Sequence, residues 1–146
     1  MKFSLIIDPD IDEEIIVKVH QQSSLTDQIE HLILQHNGSD RIIVYADDEI
    51  KVLTFDKIEC ITVLDGKTYA IDVHNQKYRL KQRLYELEAI VPSSFIRINK
   101  STLANEKQIE RFVATFSGAV DALFRCGYRD YVSRRCFSQI KRRYQK

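Results

Sequence analysis

The sequence predicts a mainly β protein with short helices, preceded by a small strand–strand–helix unit. Short runs of alternating or continuous apolar residues recur from Arg41 onward, and turn residues interrupt them at intervals of about 8–12 residues. The four glycines stand singly between these runs, so the chain has no glycine-rich phosphate loop. Short strands alternating with tight turns are typical of an antiparallel sandwich or barrel.

The leading unit covers residues 1–38, and residues 39–146 form the second predicted domain. Residues 2–7 are mostly apolar and residues 14–20 alternate in polarity, so both are predicted strands. Ser24 is the predicted N-cap of an amphipathic helix over residues 25–35 that ends near Asn37-Gly38. A unit of this size is too small to be stable alone. We expect it to mediate dimerisation, to contact a partner, or to complete the core of the larger domain.

The second domain is predicted to contain strands at residues 41–46, 51–54, 58–64, 67–73, 78–80, 109–115, 120–124 and 128–133. Asp65-Gly66 predicts a tight hairpin between two of them. Residues 83–90 and 134–144 are the predicted short helices, the second with Phe137 and Ile140 as its apolar anchors.

Composition indicates a globular chain and argues against several classes of function. Hydrophobic residues make up 44% and charged residues 29%, and no apolar run approaches the ~18–20 residues of a membrane span. The apolar start of the chain stops at Asp8, which predicts no signal peptide and a cytoplasmic protein. The three cysteines and four histidines lack metal-ligand or catalytic spacing, so we expect no cofactor, no metal and no enzymatic activity.

Charge is distributed unevenly along the chain. Residues 1–50 contain eleven acidic and three basic residues, a net charge of −8, whereas residues 91–146 contain twelve basic and four acidic residues, a net charge of +8. This polarity predicts a basic surface for an anionic partner, with an acidic portion held away from it. The alternative is that the charges are solvated and unevenly sampled.

Two segments combine apolar and basic residues in a recognisable pattern. The first is Phe95-Ile96-Arg97-Ile98-Asn99-Lys100-Ser101-Thr102-Leu103-Ala104-Asn105, and the second is Tyr131-Val132-Ser133-Arg134-Arg135. Together they resemble the recognition segments of a LytTR-type DNA-binding domain, in which a Phe-x-Arg-(Ile/Val)-His-Arg-Ser run precedes a Val-Ser-Arg-Arg run. The resemblance extends from about Arg41 to the C-terminus and implies an elongated antiparallel β fold that presents loops to successive DNA grooves.

The resemblance also implies three DNA-contacting segments. Lys67 and Thr68 match the first, at the Asp65-Gly66 hairpin. Asn99, Lys100 and Ser101 match the second, with Ser101 and Asn105 expected to brace it; Asn99-Lys100 replaces the family's His-Arg, and both residue types can contact base edges. Ser133, Arg134 and Arg135 match the third. For Arg97, Lys100 and the arginine pair, the alternative is an ordinary solvated side chain.

The predicted function is therefore a bacterial-type, sequence-specific transcription regulator that binds double-stranded DNA. The alternative is an RNA-binding or protein-interaction β module. Only about 40 residues precede the resembling region, so the chain is similar to the short stand-alone form without a receiver domain. That form implies a homodimer and a small membrane protein as inhibitor, with no small-molecule substrate.

Overall fold

The computed structural model describes residues 2–11, 14–37 and 40–144, with residues 31 and 33–37 described by their backbone alone. The helices in this part of the chain are α1 (Ser24–Asn37), α2 (Leu84–Glu88) and α3 (Arg134–Tyr144). The strands are β1 (Arg41–Ala46), β2 (Glu49–Thr54), β3 (Ile58–Leu64), β4 (Lys67–Asp72), β5 (Lys77–Leu80), β6 (Phe95–Asn99), β7 (Thr102–Asn105), β8 (Ile109–Ala114), β9 (Val120–Phe124) and β10 (Arg129–Val132). Two 3₁₀ turns, Phe55–Lys57 and Glu106–Gln108, join β2 to β3 and β7 to β8.

The strands form two antiparallel sheets, which confirms the predicted mainly β fold. Seven strands lie in the order β2-β1-β5-β4-β3-β7-β6, and three form a smaller sheet in the order β10-β9-β8. Within the larger sheet, β3 lies between β4 and β7, with Ile61 opposite both Ala70 and Leu103. A strand flanked on both sides has its backbone groups paired along both edges, so β3 is the centre of the domain.

Both faces of the central strands are buried, because side chains alternate along a strand and each face meets a different partner. On one face, Ile61 and Leu103 join a core that includes Leu84 and Leu87 of α2. On the other face, Cys60 and Ala104 join a second core. The second core is completed by the smaller sheet and α3, through residues that include Phe124 and Ile140.

Helix predictions agree with the structure. The predicted helix over residues 25–35 is α1, but Ser24 is its first residue and not its N-cap. Ser23 precedes the helix, and its carbonyl oxygen accepts from the Asp27 backbone N–H at 3.1 Å. The helix predicted over residues 134–144 is α3, with Ile140 buried. None of the helices in the described residues is long and apolar enough to cross a membrane.

The structure corrects two sequence predictions. Residues 2–7 and 14–20 contain no strand, because a strand needs a hydrogen-bonded neighbour and the described part of this single chain provides none for them. Conversely, β7 (Thr102–Asn105) was not predicted: its polar Thr102 and Asn105 are buried and hydrogen-bonded. The predicted boundary at residues 38 and 39 lies outside the described residues.

Candidate nucleic-acid interface

The β6–β7 turn is held in one shape by three hydrogen bonds. Arg97 donates from Nη1 to the carbonyl oxygen of Lys100 at 2.8 Å and from Nη2 to Glu88 Oε2 of α2 at 2.7 Å. Oδ1 of Asn99 accepts from the backbone N–H of Ser101 at 2.8 Å. The Lys100 side chain remains exposed at the apex. The turn therefore presents the Lys100 side chain on a backbone that these hydrogen bonds hold in place.

Asn99 also links this turn to the end of β10. Its Nδ2 donates to the carbonyl oxygen of Tyr131 at 2.8 Å, and the backbone N–H of Ser133 donates to the carbonyl oxygen of Ile98 at 2.8 Å. Thr102 adds a third link, because its hydroxyl donates to Asp130 Oδ2 at 2.6 Å. The second and third predicted contact segments are therefore joined directly in the folded chain.

At the β10–α3 junction, Ser133 caps the helix and two arginines begin it. The Ser133 hydroxyl oxygen accepts from the Cys136 backbone N–H at 3.2 Å, which satisfies one of the free N–H groups of the first turn. Arg134 and Arg135 are exposed in that same turn. The positive end of the helix dipole disfavours cations there, so these arginines are badly placed for stability. An anionic ligand would remove that unfavourable interaction.

The β3–β4 hairpin lies beside the β6–β7 turn. Asp65 and Gly66 have φ angles of 52° and 74°, which two-residue type I′ turns require, and Leu64 pairs with Lys67 across the turn. The Val63 N–H donates to the carbonyl oxygen of Ser101 at 2.9 Å, which joins the hairpin to the neighbouring turn. Lys67 is exposed at this end of the sheet.

Two predicted contact residues are buried instead of exposed. Asn99 is 1% exposed, with both ends of its amide hydrogen-bonded inside the protein, so it braces the turn and does not face a ligand. Thr68 is 7% exposed because it lies within β4, between Val63 and Leu80 of the adjacent strands. Ser101 and Ser133 are half-buried, and the hydrogen bonds above give both a structural role. Asn105 was expected to brace the Asn99-Lys100 segment, but its side chain donates to the Ile58 carbonyl oxygen at 3.1 Å, at the other end of β7.

The exposed cations of the site have no acidic partner among the described residues, whereas several other arginines do. Arg97, Arg129 and Arg143 form ion pairs with Glu88, Asp121 and Glu106 at 2.7, 2.8 and 3.0 Å. No such pair involves the four cations Lys67, Lys100, Arg134 and Arg135 within the described part of the chain. These four charges are available to an anion, and we call them the cationic set.

Sequence reasoning missed two contributors to this surface. Arg97 matched the family pattern, but only the structure shows that it fixes the Lys100 carbonyl oxygen. Lys81 follows β5, and the pairing of Thr68 with Leu80 brings the end of β5 beside the start of β4. Its ammonium lies over the Tyr45 ring at 4.6 Å. Nothing in the spacing of basic residues along the chain indicates that Lys81 lies near Lys67.

Together, the sheets and the cationic set have the form of a β-rich nucleic-acid-binding domain, and turns and one helix N-terminus make up its candidate surface. In the described residues, strands separate every pair of successive helices, so no helix–turn–helix unit is present. The chain belongs to the LytTR family, because the family model for the LytTr DNA-binding domain matches residues 48–145.

Relatives and a solved structure agree with this assignment. HTH-type transcriptional regulators of Staphylococcus aureus strains NCTC 8325 and COL are each 32% identical to this chain over 146 residues, covering 98% of it and 97% of the relative. That similarity therefore continues through most of the first 47 residues, which the family model does not match. A solved LytTr DNA-binding domain from Bacillus cereus shares the fold with a TM-score of 0.67 at 23% identity, over 75% of this chain and 100% of that one.

Proposed function

We propose that this member of the LytTR family is a sequence-specific regulator of transcription that binds double-stranded DNA through the cationic set. One observation carries the proposal: hydrogen bonds within the chain connect all three predicted contact segments. The Val63–Ser101 and Asn99–Tyr131 bonds join hairpin, turn and helix start. A surface that is already ordered loses little conformational entropy on binding.

Within the set, the four cations have different proposed roles. Arg135 and Lys100 read base edges, since the arginine fork and the lysine ammonium both suit the guanine O6 and N7 acceptors. Arg134 and Lys67 contact phosphates and set the position of the domain on the duplex. Asn99, Ser101, Ser133 and Thr68 hold these side chains in place and do not touch DNA.

The test is a selection of random duplex DNA on the purified protein at two salt concentrations. Enrichment of a short motif that disappears in the Lys100→Ala/Arg135→Ala variant supports base reading. Each single change is expected to cost roughly 1–3 kcal/mol and to relax preference at one position. The matched control is Arg142→Ala, an exposed arginine in the last turn of α3, which should weaken all sequences alike. A protein that prefers single strands over duplex would contradict the proposal.

We also propose that the regulator acts in the cytoplasm as a homodimer on two half-sites. A linked second domain raises the effective local concentration at its own half-site and increases affinity without new contacts.

The resemblance to short stand-alone regulators supports a small membrane protein as inhibitor. Loss of regulator from membranes when that protein is deleted would test this element separately.

A further inference from the structure

The N-terminal unit contains an apolar groove that none of the described residues covers. Residues 15–19 lie beside α1, and Ile15, Val17, Val19 and Ile29 line an open groove of about 540 Å³. Ile15, Val17 and Val19 are 66%, 41% and 44% exposed. On α1, Leu25 and Leu32 are 43% and 63% exposed as well. Contiguous apolar exposure of this kind marks an interaction site.

The residues along one edge of the groove have the composition of a strand but lack a neighbour. Residues 14–20 read Glu-Ile-Ile-Val-Lys-Val-His, rich in the β-branched residues that favour strands. In the described part of the chain this segment forms no strand and belongs to neither sheet. Its backbone donors and acceptors are therefore open to a second strand.

We propose that the occupant is a second copy of this chain, paired antiparallel with the first along residues 14–20 about a two-fold axis at Val17. This proposal deepens the homodimer of the proposed function by naming the residues that make it. In this register Val17 lies opposite the partner's Val17 and Ile15 opposite the partner's Val19. The groove-lining side chains of both copies then share one face of a two-stranded ribbon, because alternate residues point to the same side.

The opposite face of the ribbon supplies charge complementarity. Glu14 lies opposite the partner's His20 and diagonal to the partner's Lys18, both within reach in an antiparallel pair. The two-fold axis repeats this arrangement, so Glu14 of each copy lies near Lys18 and His20 of the other copy. The two α1 helices cover the apolar face, so Ile15, Val17, Val19 and Ile29 of both copies become a buried layer. A C2 contact needs such a self-complementary patch.

Cysteine cross-linking of the full-length chain tests the register directly. Directly opposite residues have Cα atoms about 4.5–5.5 Å apart, which a disulfide can span. Val17→Cys should therefore cross-link to itself under mild oxidation. Ile16→Cys is the matched control: its two copies lie on a diagonal, beyond the ~7 Å limit, and should stay monomeric on a non-reducing gel. A mixture of Ile15→Cys and Val19→Cys should cross-link to each other. Cross-linking of Ile16→Cys in place of Val17→Cys would overturn the proposal.

A second measurement separates this surface from another exposed apolar face. On the β1–β2 hairpin, Ile43 and Val52 form a cross-strand pair and are 49% and 56% exposed. Val17→Asp places two carboxylates together at the axis, so its mass by sedimentation equilibrium should fall from twice the 17.1 kDa chain mass to that mass. Val52→Asp should remain dimeric. The reverse pattern, or a parent protein that is monomeric at micromolar concentration, would refute the proposal.

The DNA-binding function can fail independently of the dimer. The Val17→Asp monomer should still bind a single half-site with base preference, while losing at least tenfold in affinity for the two-half-site operator. A dimer that cross-links through Val17→Cys but binds no duplex would contradict only the proposed function and would leave the dimer proposal standing. A monomer that binds the full operator as tightly as the parent would refute the role assigned to the ribbon.

Discussion

Arg97 and Lys100 are related through the backbone: the guanidinium of Arg97 donates to the carbonyl oxygen of Lys100 at 2.8 Å and, through its other nitrogen, to Glu88 of α2. Lys100 is exposed, whereas the Arg97 side chain is only 30% exposed and faces the turn. An arginine fork can hold two acceptors at once in a fixed geometry. The position of the Lys100 ammonium therefore depends on Arg97, whose own charge is already paired with Glu88.

We expect Arg97→Gln to weaken operator binding by about tenfold, roughly 1.4 kcal/mol, without changing the dependence on salt. The reason is that the change frees the turn and removes no phosphate contact. Fluorescence titrations with operator duplex at several salt concentrations give both quantities. Arg129→Gln is the matched control, since it breaks a comparable ion pair between Arg129 of β10 and Asp121 of β9. A shallower salt slope for Arg97→Gln would show that Arg97 contacts phosphates directly.

Asn99→Ala should lower the free energy of unfolding by about 1–3 kcal/mol, because it leaves the Tyr131 carbonyl oxygen and the Ser101 N–H, both in part-buried hydrogen bonds, without their partner. Urea denaturation measures this loss. Asn105→Ala is a matched control: Asn105 is also buried and also donates to backbone carbonyl oxygens, but those belong to Phe55 and Ile58. The two variants should lose similar stability.

Only Asn99→Ala should also reduce operator affinity per folded molecule, measured well below the unfolding midpoint. That difference arises because Asn99 joins the turn to the start of α3, whereas Asn105 braces the far end of β7. Equal DNA affinities for the two variants would mean that the link does not position the cationic set.

The architecture was readable from the sequence because its signals are local. Asp65-Gly66 predicted the hairpin through a requirement for positive φ, and the structure has positive φ at both positions. The strands from Arg41 onward are mostly short alternating or continuous apolar runs between turn residues, and this local pattern identified them. β7 escaped prediction because Thr102 and Asn105 are polar yet buried, and their stabilising partners come from residues about 30 to 50 positions away. Such partners leave no local pattern.

The contact segments were predicted from a family pattern, which identifies positions but not orientations. Lys67 and Lys100 are exposed, as a contact residue must be, whereas their neighbours Thr68 and Asn99 on the same two segments are buried. Strand residues alternate between faces, so a shift of one position separates a surface lysine from a buried asparagine. The register of β6 against β7 includes an irregularity between Arg97 and Asn99, and no pattern in the sequence predicts it.

Arg134→Glu should stabilise the fold while abolishing DNA binding. Arg134 lies in the first turn of α3, a turn without acidic residues, where the helix dipole favours a carboxylate over a cation. We expect a gain of about 0.3–1 kcal/mol in the free energy of unfolding at low salt. Arg142→Glu in the last turn is the reciprocal control and should lose stability by a similar amount. Should Arg134→Glu destabilise the fold, Arg134 would have a structural contact that outweighs the dipole.

Stability should fall at alkaline pH because the Tyr128 side chain is half-buried. Burial raises the pKa of Tyr128 from its ordinary value of 10.0 to about 12, so the folded state favours the protonated phenol. The resulting stability is complete below pH 10 and is lost as the pH rises toward about 12. Urea denaturation across that range should therefore show a shallower fall for Tyr128→Phe than for the parent. Burial raises the pKa of Cys60 as well, but that contribution is common to both proteins and cancels in the comparison. Tyr85→Phe, at a tyrosine that is 67% exposed, should follow the parent curve. If Tyr128→Phe also follows it, the phenol is solvated in the folded protein, and the contact between the smaller sheet and β3 is looser than the second core implies.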